Sequence, residues 1–567
     1  MSLAIPNRFF WVGAGVVAGV GFILWRLFSL QFFYYSIYAN QADEKAEGRS
    51  LGISKRGNIY LNDKNADSSL FPVAVNKDLY VVYAVPSLVT SPEISTKVLA
   101  GELKLEESAI LPKLIKADDP YEPIASRVEE ETAMRIKKLN MSGIGIAREK
   151  WRYYPSGSFF SHIVGFVGYR NDKKGGVYGV EGYYDDLLGG GNMEKIEKES
   201  GWQKNPSLKN EVSQTDSLDL VLSIDRNLQF YACNKLKEYV EKLEASGGNV
   251  IVMNPKNGAI WALCNYPTFD PNEYSKVGNP EVYNNMSIIG SYEPGSTFKV
   301  MTMAAALDSN ALGPGSTYND EGKIEIGPYT IKNVNPVPLG DVSMITVLEK
   351  SLNTGAIYAA KQAGFDSFRR YLEDFGFGAK TGIDLDYESS GDLSTLDRKS
   401  EIYLATASFG QGITVTPIQL LASYGAVANG GRLFRPYVVE QIVRGSDTVW
   451  QRQAQLVGQV ISPRTAALLG GMLVTVIAGG QNKQASVQGY YLGGKTGTAQ
   501  ISDKTQKGYS EGGTIQSFVG FGPVDDPFFV MLTKIDEPKK SDFAGSSAAP
   551  LFGEIAKFLL EYYHVPK

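Results

Sequence analysis

From Leu218 to its C-terminus the chain reads as an α+β domain, an antiparallel sheet covered by helices. Three features carry that expectation: an early hairpin, a helical block behind it, and a late strand meander closed by a helix. In the hairpin, Asn249 to Met253 and Ala259 to Cys264 are short apolar runs. They are joined by Asn254-Pro255-Lys256-Asn257-Gly258, a strong turn sequence. Leu218 to Ile224 is expected as a strand before it, and Gln229 to Leu243 as an amphipathic helix. Helical segments dominate from Ser296 to about Tyr424. Strands return at Tyr490 to Ile501, Thr514 to Gly522 and Phe528 to Ile535, the last two turned by Pro523-Val524-Asp525-Asp526-Pro527. Ala548 to Tyr562 is the closing helix.

The N-terminal part has a different texture. A chain of 567 residues is long enough for about three domains. Phe9 to Trp25 carries no charge and continues past Arg26 through Leu27, Phe28 and Leu30, about the length that crosses a bilayer. Phe9, Phe10 and Trp11 flank it on one side and Phe32, Phe33, Tyr34 and Tyr35 on the other, as interfacial belts do. No small-x-small cleavage site stands before Ala42, so an uncleaved single transmembrane anchor is expected, with the large C-terminal part exported. Gly15 and Gly19 would give that span a small-residue face. Beyond it, short β-like runs (Tyr80 to Val85) alternate with polar helical stretches (Glu129 to Leu139). A polar stretch, Gly201 to Asp216, precedes the change of texture. The expected organisation is therefore 1–35 tail and anchor, 36–215 non-catalytic domain, and 216–567 catalytic domain.

Composition narrows the chemistry. The net charge is −5, and no run of Lys or Arg points to nucleic acid. Only two histidines exist, His162 and His564, which leaves a Ser-His-Asp triad or a histidine zinc site almost no material. Cys233 and Cys264 are too few for a disulfide scaffold and read as two buried small side chains. Ser296-Thr297-Phe298-Lys299 is the one Ser-x-x-Lys, opening the apolar helix Val300 to Leu307. Positions i and i+3 share a helical face, so the Lys299 amine is expected to reach the Ser296 hydroxyl. A desolvated lysine loses its proton near neutral pH and can serve as base.

Ser351-Leu352-Asn353 ends a helical stretch, Val342 to Leu352, and places a hydroxyl and an amide on one short loop. Lys495-Thr496-Gly497-Thr498 lies inside a strand whose glycines, Gly493, Gly494 and Gly497, allow close approach of another backbone. That suits a substrate peptide added as an extra strand, with Lys495 on its carboxylate. A second Lys-Thr-Gly, Lys380-Thr381-Gly382, sits in loop context, which favours Lys495.

Ser-x-x-Lys, Ser-x-Asn and Lys-Thr-Gly in this order resemble the motif set of penicillin-binding proteins and β-lactamases. The whole chain resembles a class B penicillin-binding protein. Arg56-Gly57-Asn58-Ile59, Arg152-Tyr153-Tyr154-Pro155 and Gly179-Val180-Glu181-Gly182 are similar to that family's N-terminal pedestal. Tyr60-Leu61-Asn62-Asp63 departs from its pattern. Glu293-Pro294-Gly295, Lys495 to Ala499 and Ser517 to Phe521 resemble the septal, cell-division type, with the elongation type as alternative.

The resemblance implies a peptidoglycan D,D-transpeptidase with Ser296 as nucleophile and Lys299 as base. Ser351 would relay the proton and Asn353 would orient the peptide. Lys495, Thr496, Gly497 and Thr498 would form the substrate strand, with the Ser296 and Thr498 N–H groups as oxyanion hole. It implies D-Ala-D-Ala stem peptides and β-lactams as ligands, no metal or cofactor, and a polytopic membrane glycosyltransferase and division proteins as partners. A β-lactamase, or a non-catalytic scaffold or β-lactam sensor, would share part of this pattern.

Overall fold

In the computed structural model the described residues are 16–17, 19–21, 25, 56–62, 70–116, 119–170, 173–190, 217–479, 482–502 and 509–567. Most of the apolar run Phe9 to Trp25 and all of its Arg26 to Tyr35 flank lie outside them. Among the described residues no helix is long and apolar enough to cross a membrane.

The chain forms two compact units, 1–55 with 76–151 and 56–75 with 152–567. The expected non-catalytic segment 36–215 is thus divided between them. In the larger unit, β1 (Ile59–Asn62) pairs antiparallel with the first residues of β2 (Leu70–Ala84), Asn62 opposite Leu70. In the smaller unit, the later residues of β2 pair with β3 (Glu122–Val128), Ala84 opposite Glu122. There Leu99, Ile110, Leu114 and Ile136, on three helices, pack against Val82 and Ile124 to make its core.

Back in the larger unit, β4 (Asp219–Leu222) runs parallel to β1. The three segments that the family resemblance singled out converge on one carboxylate. Glu181 is fully buried and accepts from Arg56 Nε and Arg152 Nε, both at 2.6 Å, while Arg56 Nη1 reaches Asp185 at 2.7 Å.

α1 (Arg226–Lys242) follows, its Asp225 cap accepting from the Leu228 N–H, then the expected hairpin as β5 (Gly247–Met253) and β6 (Ile260–Tyr266). α2 (Lys299–Asp308) opens the helical block, which is not wholly helical. Two small antiparallel pairs interrupt it: β7 (Thr317–Asp320) with β10 (Gly340–Ser343), and β8 (Lys323–Ile326) with β9 (Tyr329–Lys332). The inner pair has a period-two signal, Ile324 and Ile326 before the Gly327-Pro328 turn and Ile331 after it. α3 (Met344–Lys350), α4 (Asn353–Ala363) and α5 (Pro417–Ala428) continue the block.

The meander is β11 (Gly493–Ser502), β12 (Tyr509–Gly522) and β13 (Phe529–Asp536), closed by α6 (Ala548–Tyr562). With the hairpin it builds one antiparallel five-stranded sheet, order β11-β12-β13-β5-β6. Alternate strand residues serve two cores. Val250, Val252, Phe518 and Met531 pack with α1 and α6, while Ile251, Met253, Val519 and Leu532 pack with α5. The cysteines correct the reading of two separate thiols. Cys233 on α1 and Cys264 on β6 form a disulfide with Cα atoms 5.3 Å apart, a pairing that a 31-residue separation does not disclose.

Candidate active site

Ser296 sits in a single 3₁₀ turn, Gly295–Phe298, and Lys299 is the first residue of α2. The expected α-helical spacing is therefore a tighter one, in which residues i and i+3 nearly eclipse. Gly295 opens the turn at φ 56°, a conformation that suits glycine. Three contacts clamp the turn: Gly295 N–H to Gly410 O (3.0 Å), Thr297 Oγ1 to Pro294 O (2.7 Å), and Tyr424 OH to Thr297 O (2.7 Å). Just upstream, Glu293 accepts from the Gly412 N–H at 2.9 Å. Thr297, Phe298 and Lys299 are buried beneath it, while Ser296 is half-buried. Glu293 was singled out by resemblance but not as a clamp, and Tyr424 was given no role, because both contacts are tertiary and follow no local pattern.

The amine of Lys299 is 1% exposed as a residue and is directed at the α3–α4 junction. It donates to Ser351 O at 2.6 Å and Asn353 Oδ1 at 2.8 Å, and Ser351 Oγ lies 3.3 Å from it. Ser351, the C-cap of α3, holds a left-handed conformation at φ 58°, which turns its carbonyl and hydroxyl to the same amine. A non-glycine residue held there marks a position that the surroundings over-determine. The structure thus brings Lys299, Ser351 and Asn353 into direct contact, with Ser296 one 3₁₀ turn away. The hydrogen bonds of Lys299 go to the Ser351–Asn353 loop, not to Ser296.

Burial pushes Lys299 well below the usual lysine range, and the nearby charge of Lys495 adds to this. Lys495, also 1% exposed, is lowered to about 7 by burial alone. Its Nζ donates to Thr496 O at 3.1 Å. Among the described residues no carboxylate pairs with either amine.

Lys495 belongs to β11, the strand that ends the order of the five-stranded sheet. Strand alternation divides the motif: Lys495 and Gly497 face inward and are buried, while Thr496 and Thr498 are partly exposed. The glycines are used up by the protein itself. A Cβ on Gly497 would stand 2.8 Å from Pro294 O and 2.9 Å from Thr297 Cγ2, so its absence lets β11 seat the serine turn. A Cβ on Gly494 would meet the Phe518 ring at 2.6 Å. The second motif copy lies in a loop, where Thr381 and Gly382 N–H groups donate to Glu388, at 2.7 and 2.9 Å, and Lys380 points into solvent.

Residues 248–557 match the family model of the penicillin-binding protein transpeptidase domain, and residues 53–222 that of the penicillin-binding protein dimerisation domain. Stage V sporulation protein D of Bacillus subtilis is 36% identical over 495 residues, covering 86% of this chain and 76% of its own. Peptidoglycan D,D-transpeptidase FtsI of Escherichia coli is 28% identical over 572 residues, covering 97% and 91%. Among solved structures, penicillin-binding protein 3 from Mycobacterium tuberculosis complexed with aztreonam superposes with a TM-score of 0.65 at 27% identity. That superposition covers 74% of this chain and 92% of the other.

Proposed function

We propose, on the premise that this chain belongs to the penicillin-binding protein transpeptidase family, that Ser296 is its nucleophile and Lys299 its base. The chain is a peptidoglycan D,D-transpeptidase, an acyl-transferring enzyme. The observation that carries the residue roles is the Lys299 amine: buried, without a carboxylate partner among the described residues, and bound by Ser351 and Asn353.

Neutral Lys299 takes the Ser296 proton as Oγ attacks the carbonyl of the penultimate D-Ala of a stem peptide. The resulting oxyanion is held by the Ser296 and Thr498 N–H groups, donors worth roughly 3 kcal/mol each in such sites. Ser351 passes the proton to the departing D-Ala nitrogen as the C–N bond breaks, which leaves an ester on Ser296. The amine of a neighbouring stem peptide then attacks that ester, loses its proton through the same groups and releases Ser296. Asn353 orients the peptide, Thr496 and Thr498 hold the terminal carboxylate, and Lys495 supplies positive charge behind them. A β-lactam acylates Ser296 by the same first step.

A fluorescent penicillin is expected to label the purified protein covalently, and Ser296→Ala to abolish labelling. Labelling that survives the substitution sinks the assignment.

The setting we infer is septal wall synthesis by a membrane-anchored enzyme outside the cytoplasm, working beside a polytopic membrane glycosyltransferase and other division proteins. The apolar run Phe9 to Trp25 and the Cys233–Cys264 disulfide support the placement, since structural disulfides persist in oxidising compartments. The Glu293-Pro294-Gly295 resemblance and the FtsI relative support the septal role. A tagged copy imaged in dividing cells should gather at midcell; an even distribution along the side wall would favour the elongation type.

A further inference from the structure

The base chemistry depends on which end of the Asn353 carboxamide faces Lys299. A neutral amine has two hydrogens and one lone pair. Ser351 O and Asn353 Oδ1 are pure acceptors, so together they consume both hydrogens. The lone pair is then left for the neighbouring hydroxyls. If the amide were inverted, its NH₂ would donate to that lone pair and the base would be silenced.

What prevents inversion is the other end of the same side chain. Asn353 Nδ2 donates at 2.9 Å to Lys332 O, an acceptor that cannot accommodate an amide oxygen. Lys332 ends β9, and the next residue is tied into a buried knot. Asn333, 4% exposed, donates through Nδ2 to Asp320 Oδ1 at 3.0 Å. Through Oδ1 it accepts the Thr354 N–H at 3.1 Å, with the Thr354 hydroxyl 3.0 Å away. It thereby caps the first turn of α4, whose own N-cap residue, Leu352, has no side chain for the task. Asp320, 1% exposed, gathers the rest on Oδ1: the Thr354 hydroxyl at 2.8 Å, Tyr318 OH at 3.2 Å and the Gly322 N–H at 3.3 Å.

We propose that Asp320 and Asn333 are positioning residues of the acyl-transfer site, which lock the end of β9 to the start of α4 and so hold the Asn353 carboxamide with its oxygen on Lys299. They act through Asn353 and Lys332 O and touch no substrate. The proposal rests on the reading of Lys299 as base. It also makes a chemical distinction within Asp320. These bonds to Asp320 use Oδ1, whereas Oδ2 is buried without a hydrogen-bond partner among the described residues. An asparagine there keeps the accepting oxygen, so the acid is dispensable and the oxygen is not.

The test measures second-order acylation of Ser296 by a fluorescent penicillin across pH, on full-length protein, with the folded fraction fixed by thermal denaturation. Asp320→Ala is expected to acylate about tenfold or more slowly than wild type, in line with the cost of misplacing a catalytic group by about 1 Å. Its acid limb should move to lower pH, because the ammonium of Lys299 loses an acceptor while Lys495, the cation that faces it, remains. Asp320→Asn should stay within about threefold of wild type. A wild-type rate in Asp320→Ala, an equal loss in Asp320→Asn, or a slowed Asp320→Ala whose acid limb has not moved overturns the proposal. Should Asp320→Ala not fold, Thr354→Val removes one hydroxyl from the same knot. A several-fold slowing there supports the proposal, and an unchanged rate overturns it. Wild-type protein that is not labelled at Ser296 refutes the base reading instead.

Discussion

Two buried clusters of charge in the larger unit follow opposite rules. Around Glu181 every charge is answered: two carboxylates, Glu181 and Asp185, meet two guanidiniums, Arg56 and Arg152, at 2.6 to 2.7 Å. Burial alone would raise the Glu181 carboxyl, yet Arg152 and Arg56 outweigh it and hold it below the usual carboxylate range. At Lys299 and Lys495 two amines are buried close enough to repel, and among the described residues no carboxylate answers them. The first arrangement stabilises charged groups and so serves the fold. The second forces an amine towards neutrality, which is what a base requires and what stability alone would never favour.

The largest expected effect attacks the uncompensated pair. Lys299→Met should slow acylation of Ser296 by about 10²–10⁴-fold, the usual worth of a positioned base. The same substitution should leave the urea midpoint unchanged or raise it, because an isolated buried amine opposes folding. A midpoint that falls sharply would mean the native amine is charged and well compensated, and the comparison would fail. Glu181→Leu is the counterpart. It leaves Arg56 and Arg152 buried without their shared partner and should cost about 3–5 kcal/mol in urea denaturation. Protein that remains folded should acylate at the wild-type rate. A neutral effect on stability would show that the knot contributes nothing to holding this unit together.

How legible each region was in the sequence follows from the range of its interactions. Ser296 to Lys299 was readable because its geometry is local, although the turn proved to be 3₁₀ and the amine turned to Ser351 and Asn353. Lys495 was separable from Lys380 because strand context is written in neighbouring residues, and Gly497 was read as admitting the backbone of a substrate peptide. The approaching backbone is the protein's own Pro294–Thr297 turn, which no local pattern could name. The β8–β9 pair was visible as alternating isoleucines but was submerged in a segment read as helical. Arg56, Arg152 and Glu181 were singled out through family resemblance, yet their spacing gave no sign that they meet. The Cys233–Cys264 bond and the Asp320–Asn333–Thr354 knot were invisible for the same reason, since each joins segments distant in the chain.

Titration separates the two regions most finely. Lys495 sits near 7 in the free protein against 10.5 when unburied. The second-order acylation rate reports ionisations of the free enzyme. If the charge of Lys495 helps seat the carboxylate, that rate should fall above about pH 7, approaching tenfold per unit for a single ionisation. Lys495→Arg, which cannot lose its proton there, should flatten the limb. Stability should move the other way. Between about 7 and 10.5 the unfolded chain binds a proton at Lys495 that the folded chain does not, so folding strengthens as pH rises through that window. The Glu181 carboxylate contributes no slope there, because its stabilising charge is already complete well below neutral pH. A rate that climbs steadily to pH 9 with no descending limb would assign Lys495 a structural role and leave Thr496 and Thr498 to hold the carboxylate alone.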